Sequence, residues 1–223
     1  MLQTIDVLDS YSFDPEFTAK EKLLVYILKS TMYILRGDKK VIQEERQELL
    51  DQFELTQRKG YETPGLTIYV HDILLRTAIV LDDFPAALES YNNISQLNLG
   101  SYREDLQMET RLLGLIPHYE MGNWILLESM IRSGQRLLQR KHSHFILGKL
   151  FLEAIKKCVA LRQNRQDNEE EVIQILRQLK KDSLSVVRKK RLGDYMVFVG
   201  WIDSKITGEN ICNCIKNSIK RPS

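Results

Sequence analysis

Histidine and cysteine are the side chains that could perform acid–base, nucleophilic or metal chemistry in this chain. His142 and His144 are two residues apart, so they would face different sides of a helix and could share a metal ion only from a loop. His118 follows Pro117 in an apolar stretch, which favours a packed imidazole over a catalytic base. We therefore expect a solvated histidine pair and a packed His118, with no catalytic residue and no metal site.

The three cysteines lead to the same expectation. Cys158 stands alone in an apolar helical pattern, while Cys212 and Cys214 form a C-x-C pair without further metal ligands nearby. A disulfide framework would need more cysteines in a shorter chain, so we expect free thiols in a reducing compartment. No H-E-x-x-H, G-x-S-x-G or phosphate-binding glycine motif occurs. The sequence thus predicts a non-enzymatic protein without a cofactor.

The strongest charge cluster is basic and precedes the last thirty or so residues. It could bind phosphates or an acidic peptide, or it could be a solvated helix end whose cations complement the helix dipole. No aromatic residue is interleaved with it, which argues against stacking of single-stranded bases. The net charge of the whole chain is only +2, so no global field selects nucleic acid or an anionic membrane. The cluster consists of Arg177, Lys180, Lys181, Arg188, Lys189, Lys190 and Arg191.

The composition favours long helices with short connections. The chain has 223 residues, of which 43% are hydrophobic and 28% charged, and it contains only five prolines and 11 glycines. An all-β sandwich or barrel would need more turn residues. Residues 1–15 carry no basic side chain, and the apolar stretch from Leu23 to Leu35 is too short to span a bilayer. With Met1 as the native start, we expect a cytoplasmic all-α protein without membrane contact.

A turn between two apolar helical patterns occurs three times. It reads Leu35-Arg36-Gly37-Asp38, then Leu81-Asp82-Asp83-Phe84, then Met121-Gly122-Asn123-Trp124. The spacing of about 40 to 45 residues is typical of stacked helical hairpins, which present a continuous surface to a partner. The pattern predicts one α-solenoid domain of stacked antiparallel hairpins over residues 1–223. We place hairpins at about 15–58, 66–97, 104–140 and 144–181, and capping helices at 184–219.

Four local expectations accompany this architecture. Asp14 with Pro15 should begin the first helix, and Pro117 should kink the helix that contains it. The run 195–202 has the β-branched and aromatic content of a buried strand, but we favour a helix because no partner strand is present. Phe84 and Trp124 each follow a repeated turn, so both should be buried anchors between the helices of their pairs.

The stretch 81–91 resembles the centre of a tetratricopeptide repeat. In that family a turn of Gly-Asp-Tyr character precedes a helix with a small residue four positions into it, and here Phe84 and Ala87 take these two places. The equivalent small-residue positions of the first and third turns hold Ile42 and Leu127. The spacing also exceeds the family's period of about 34 residues. The resemblance therefore implies a tetratricopeptide-like array with longer helices.

In a tetratricopeptide array, the first helix of each hairpin lines a concave groove. The resemblance implies a non-enzymatic interaction or scaffold module that recognises a peptide or protein partner. The alternative function is a nucleic-acid-binding or regulatory helical protein that uses the basic residues of 177–191. The groove positions could equally be ordinary solvent-facing residues. Carried over by register from each turn, they are Tyr69, Asp72, Arg76, Glu109, Leu112, Glu153 and Lys156.

Overall fold

The computed structural model describes residues 18–100, 102–140, 146–163, 169–187 and 195–220, together with residues 4, 7, 8 and 11. These ranges contain helices joined by turns and no β-strand, which confirms the predicted all-α class. In chain order the helices are α1 Ala19–Arg36, α2 Lys39–Arg58, α3 Pro64–Val80, α4 Phe84–Ser95, α5 Glu104–Leu113, α6 Leu115–Glu120, α7 Trp124–Arg140, α8 Ile146–Gln163, α9 Glu169–Val187, α10 Met196–Thr207 and α11 Ile211–Lys220.

Helices that follow one another in the chain pack in pairs. Short turns join α1 to α2, α3 to α4 and α6 to α7, and the two members of each pair are in contact. The pairs α8–α9 and α10–α11 pack in the same way. The first helices of successive pairs also touch, because α3 contacts both α1 and α5, and α5 contacts α8. The pairs of the first, second and fourth predicted hairpins span residues 19–58, 64–95 and 146–187, and the third predicted hairpin holds the three helices of 104–140.

The first helix begins with a signal that the sequence analysis missed. The Thr18 side chain accepts a hydrogen bond from the Glu21 backbone, and the Glu21 carboxylate accepts one from the Thr18 N–H at 2.7 Å. This reciprocal pair is a capping box, which satisfies two backbone donors that the helix leaves free. α1 therefore starts at Ala19, while Asp14 and Pro15 lie outside the described residues.

The three repeated turns share one backbone conformation. Gly37, Asp82 and Gly122 have φ values of 61°, 61° and 69°, in the left-handed region. The residue that follows in the first two turns, Asp38 or Asp83, caps the next helix with its side chain. Glycine reaches positive φ without steric cost, so two of the three turns are unstrained and the one at Asp82 is not.

Replacing Asp82 with glycine should therefore raise the free energy of unfolding by about 1 kcal/mol, because the left-handed conformation then loses its Cβ conflict. Asp82 is exposed, and its backbone N–H bond to the Ile79 carbonyl is retained by glycine. Urea denaturation measures the change. The reverse substitution in the equivalent turn, Gly122→Ala, should lower the free energy by a similar amount. A lower midpoint for Asp82→Gly would contradict this account.

The side chains that anchor each pair lie three residues beyond the predicted ones. Ile42, Ala87 and Leu127 occupy equivalent places after the three turns, and all three are buried. Phe84 and Trp124 are only half-buried at the edge of the same core. The prediction that they are buried anchors is therefore wrong, although the Trp124 ring does meet that of Tyr119 edge-on, with centroids 5.4 Å apart.

The helix that contains Pro117 is broken where the proline predicts a disturbance. α5 ends at Leu113 and α6 begins at Leu115, with Gly114 between them. Proline has no N–H for the carbonyl four residues earlier, which here is that of Leu113. A Cβ on Gly114 would lie 2.5 Å from the Tyr91 ring, so the break also brings this segment close to α4.

The first two turns of α10 are buried on all sides. Every residue from Met196 to Asp203 is buried, including Gly200. The Trp201 ring is fully buried and meets the rings of Tyr119 and Phe151 edge-on, with centroids 5.6 and 5.9 Å away. A helix that is apolar on all sides must be surrounded by protein. This burial explains why the sequence of α10 resembles that of a buried strand. The preference for a helix in this run is confirmed.

Candidate interaction surfaces

The two C-terminal helices lie against the first helices of the preceding pairs. α10 contacts α3 and α9, and α11 contacts α1 and α3. Trp201 of α10 also meets Tyr119 of α6 and Phe151 of α8. Two of the helices that the resemblance assigns to a concave groove, α1 and α3, are thus in contact with the chain's own C-terminal pair. The pair does more than cap the last hairpin.

α10 is fixed by partly buried polar contacts as well as by packing. The Glu120 carboxylate at the end of α6 accepts hydrogen bonds from the Trp201 indole N–H and from the Lys205 ammonium, each at 2.6 Å. The Lys180 ammonium of α9 lies 2.5 Å from a carboxylate oxygen of Asp203. The Glu120–Trp201 bond joins residues that are 81 positions apart in the chain. Together the bonds link α10 to α6 and to α9. Sequence gave no local signal for any of them.

α11 is held by close packing and by few polar bonds. Its buried face consists of Ile211, Cys212, Cys214 and Ile215. The Cys212 thiol donates a hydrogen bond of 3.2 Å to the carbonyl of Val80, in the last turn of α3. A free carbonyl at a helix end gains a partner in this way.

Two glycines make this close packing possible. A Cβ on Gly37 would lie 2.4 Å from the Cys212 carbonyl oxygen. A Cβ on Gly200 would lie 2.5 Å from Ile215 Cγ1. The backbone of α11 therefore approaches the first repeated turn, and the Ile215 side chain approaches α10, more closely than a side chain at Gly37 or Gly200 would allow.

Three of the predicted partner-binding residues meet in a buried ionic cluster between α3 and α5. The Arg76 guanidinium donates to Asp72 at 2.7 Å and lies 3.2 Å from a Glu109 carboxylate oxygen. The Thr110 hydroxyl donates to the second Asp72 oxygen at 3.1 Å. Burial alone would lower the pKa of Arg76, but the carboxylates of Asp72 and Glu109 raise it above its ordinary value. The guanidinium therefore stays charged between two carboxylates.

The position of this cluster differs from the one that the resemblance implies. Asp72 and Arg76 are buried, so they do not face an open groove, because α5 packs over this side of α3. Tyr69 is half-buried, with the Arg103 guanidinium 5.1 Å from its ring centroid. Leu112 belongs to the core. Their role in partner binding stays a prediction.

The fourth hairpin holds the remaining predicted positions. Glu153 and Lys156 are exposed on α8, and Glu153 accepts a hydrogen bond of 2.7 Å from Gln135 of α7. In the basic cluster, Arg177 and Lys181 are exposed, whereas Lys180 is paired with Asp203. Residues 188–191 lie outside the described residues. The predicted role of this cluster in nucleic-acid binding stays a prediction.

The cysteines and histidines have environments that suppress reactivity. All three cysteines are buried and free; burial raises the pKa of Cys158 to about 12 and that of Cys212 to about 11, and it also raises that of Cys214. Thiolates, which are the nucleophilic form, are therefore rare at neutral pH.

Burial disfavours the charged form of the two described histidines. Burial lowers the pKa of both His71 and His118, and the Nδ1 atom of His118 lies 3.2 Å from the Asn123 amide nitrogen. His142 and His144 lie outside the described residues. Among the residues described, no group of three or more His, Cys, Asp or Glu side chains is placed to hold a metal ion.

No family model, curated protein or solved structure matches the chain. In the described part of the chain, none of the helices has the length and apolar character needed to cross a membrane.

Proposed function

We propose that this protein is a non-enzymatic interaction module, a tetratricopeptide-like α-solenoid that recognises a peptide or protein partner. The observation that supports the proposal is the packing of α11 against α1 and α3. These two helices already hold an amphipathic helix through shape-matched packing and a backbone carbonyl that accepts a bond from Cys212. A surface that accepts one helix in this way has the chemistry of a helix-in-groove binding site.

The repeated turns support the solenoid arrangement. Three turns share a left-handed residue, and each is followed at the same distance by a buried side chain, at Ile42, Ala87 and Leu127. Contacts run from α1 to α3, from α3 to α5 and from α5 to α8, as successive first helices of a stacked array would make them. The buried thiols with raised pKa values and the histidines with lowered pKa values fit a protein that binds rather than catalyses.

Site-specific photo-crosslinking tests this function. A photoreactive residue replaces Lys39, which is exposed at the first turn beside α11, or Glu89, which is exposed on the outer helix α4. The full chain is expected to crosslink a discrete partner from position 39 and not from position 89. The purified partner should then bind the unmodified chain with a measurable dissociation constant. The absence of a specific adduct at both positions, with the fold intact by circular dichroism, would count against an interaction module.

A further inference from the structure

The two C-terminal helices are attached to the rest of the protein in different ways. α10 carries an indole, an ammonium and a carboxylate that all bond to other helices, at Trp201, Lys205 and Asp203. None of the described ion pairs involves α11. α10 is therefore tied to its neighbours by charged groups, whereas α11 is held by its apolar face and by hydrogen bonds of its uncharged side chains. These bonds run from Cys212 to the Val80 carbonyl, from Ser218 to Asp203 and between Cys214 and Thr207.

The connection between the two helices is suited to movement of α11. Gly208 is left-handed with φ of 75°, and no atom lies within 4 Å of the position that its Cβ would take. Glu209 and Asn210 are exposed beside it. The side chains of this short linker accept hydrogen bonds from α11 itself, Asn210 from the Asn213 N–H and Glu209 from Asn217, so these bonds are kept when the linker and α11 move together.

The apolar face of α11 defines what its seat accepts. Ile211, Cys212, Cys214 and Ile215 are compact side chains on one side of a ten-residue helix, and Asn213 on the other side is exposed. The surface on which α11 packs, its seat, is formed by α1, α3 and α10. At Gly37 the backbone of α11 comes so close that a bulkier occupant would not fit there. It therefore selects a short amphipathic helix with small or β-branched apolar residues.

We propose that this seat is the partner-binding site of the module, that α11 occupies it as an internal ligand, and that an amphipathic helix of a protein partner displaces α11. This inference rests on the proposed function and specifies its partner. The internal helix competes at the high effective concentration that a three-residue linker gives, so only a matching partner helix replaces it. The protein would thus be closed until such a helix is present.

Hydrogen exchange of the unmodified full chain is the first test. Amides of α11 should exchange about a hundredfold faster than those of α10, since a displaceable helix opens without global unfolding. Equal protection of the two helices, with both exchanging only on global unfolding, would overturn the proposal. This measurement needs no variant, so it decides the matter even where a substitution disturbs folding.

Binding of a helix in trans is the second test. The probe is a fluorescent peptide with the sequence of residues 208–220, and the receptor is the full chain with Ile215→Asp, which weakens the internal helix and leaves α1, α3 and α10 unchanged. The peptide should bind this folded variant at least about tenfold more tightly than it binds the parent chain, where the internal helix competes. Equal or undetectable binding to both chains would overturn the proposal.

Matched peptides identify the face that binds. A peptide with Ile215→Asp should lose binding, whereas one with Asn213→Asp, altered on the exposed side, should bind as the parent peptide does. Loss of binding by both altered peptides, or by neither of them, would contradict recognition through the apolar face. If a partner crosslinks beside the first turn but no peptide binds, the module function stands and the helix-exchange site is wrong; if neither is seen, both fail.

Discussion

Replacing Arg76 with alanine should lower the free energy of unfolding by about 3 to 5 kcal/mol. The guanidinium lies between the carboxylates of Asp72 and Glu109, and its side chain is only 11% exposed. Removing it leaves the carboxylates of Asp72 and Glu109 without the guanidinium that they share, and the cost of leaving this negative charge in a buried site exceeds the value of the intact pair. Urea denaturation followed by far-ultraviolet circular dichroism measures the change.

The exposed pair of Arg58 and Glu54 is the matched control. It has the same spacing of four residues on a helix, at 2.9 Å, but its arginine side chain is 77% exposed. Arg58→Ala should cost less than about 1 kcal/mol, since water replaces the lost partner. Equal losses of unfolding free energy in Arg76→Ala and Arg58→Ala would show that the Arg76 cluster does not stabilise the fold. They would also return Arg76 to consideration as a surface binding residue.

Replacing Gly37 with alanine should destabilise the protein by about 2 to 5 kcal/mol, from two additive causes. Alanine is strained at φ of 61°, and its Cβ would lie 2.4 Å from the carbonyl oxygen of Cys212. That oxygen belongs to the backbone of α11, so the conflict is relieved only if the helix moves. Denaturant unfolding gives the free energy, and hydrogen exchange should show that α11 loses protection first.

Gly122→Ala separates the two causes. Gly122 has nearly the same φ, 69°, in the equivalent turn, but its Cβ would meet only the Trp124 ring, at 3.7 Å. This substitution should therefore cost about 1 kcal/mol, which is the backbone strain alone. The difference between the two variants measures the close approach of α11. If both variants unfold at one denaturant midpoint, α11 is not seated on the first turn.

Local sequence signals determined the helical class and the position of its turns. The spacing of apolar residues predicts helices whatever they pack against, and glycine at Gly37 and Gly122 marks a left-handed turn because the conformation depends only on that residue's own backbone. The break before Pro117 follows from a missing N–H in the same way. The helix at 196–207 could be preferred over a strand because a strand needs a partner and the sequence contained none.

Only the tertiary structure decided which faces are covered and by what. The carboxylate of Glu120 and the indole of Trp201 are 81 residues apart, and the Cys212 thiol and the Val80 carbonyl are 132 apart. No periodicity along the chain encodes such a pairing, because it depends on where the chain returns after four helix pairs. For the same reason the sequence predicts that Asp72 and Arg76 lie on an exposed helix face, whereas both are buried under α5. Burial is a property of two surfaces, and the sequence of one helix describes only its own.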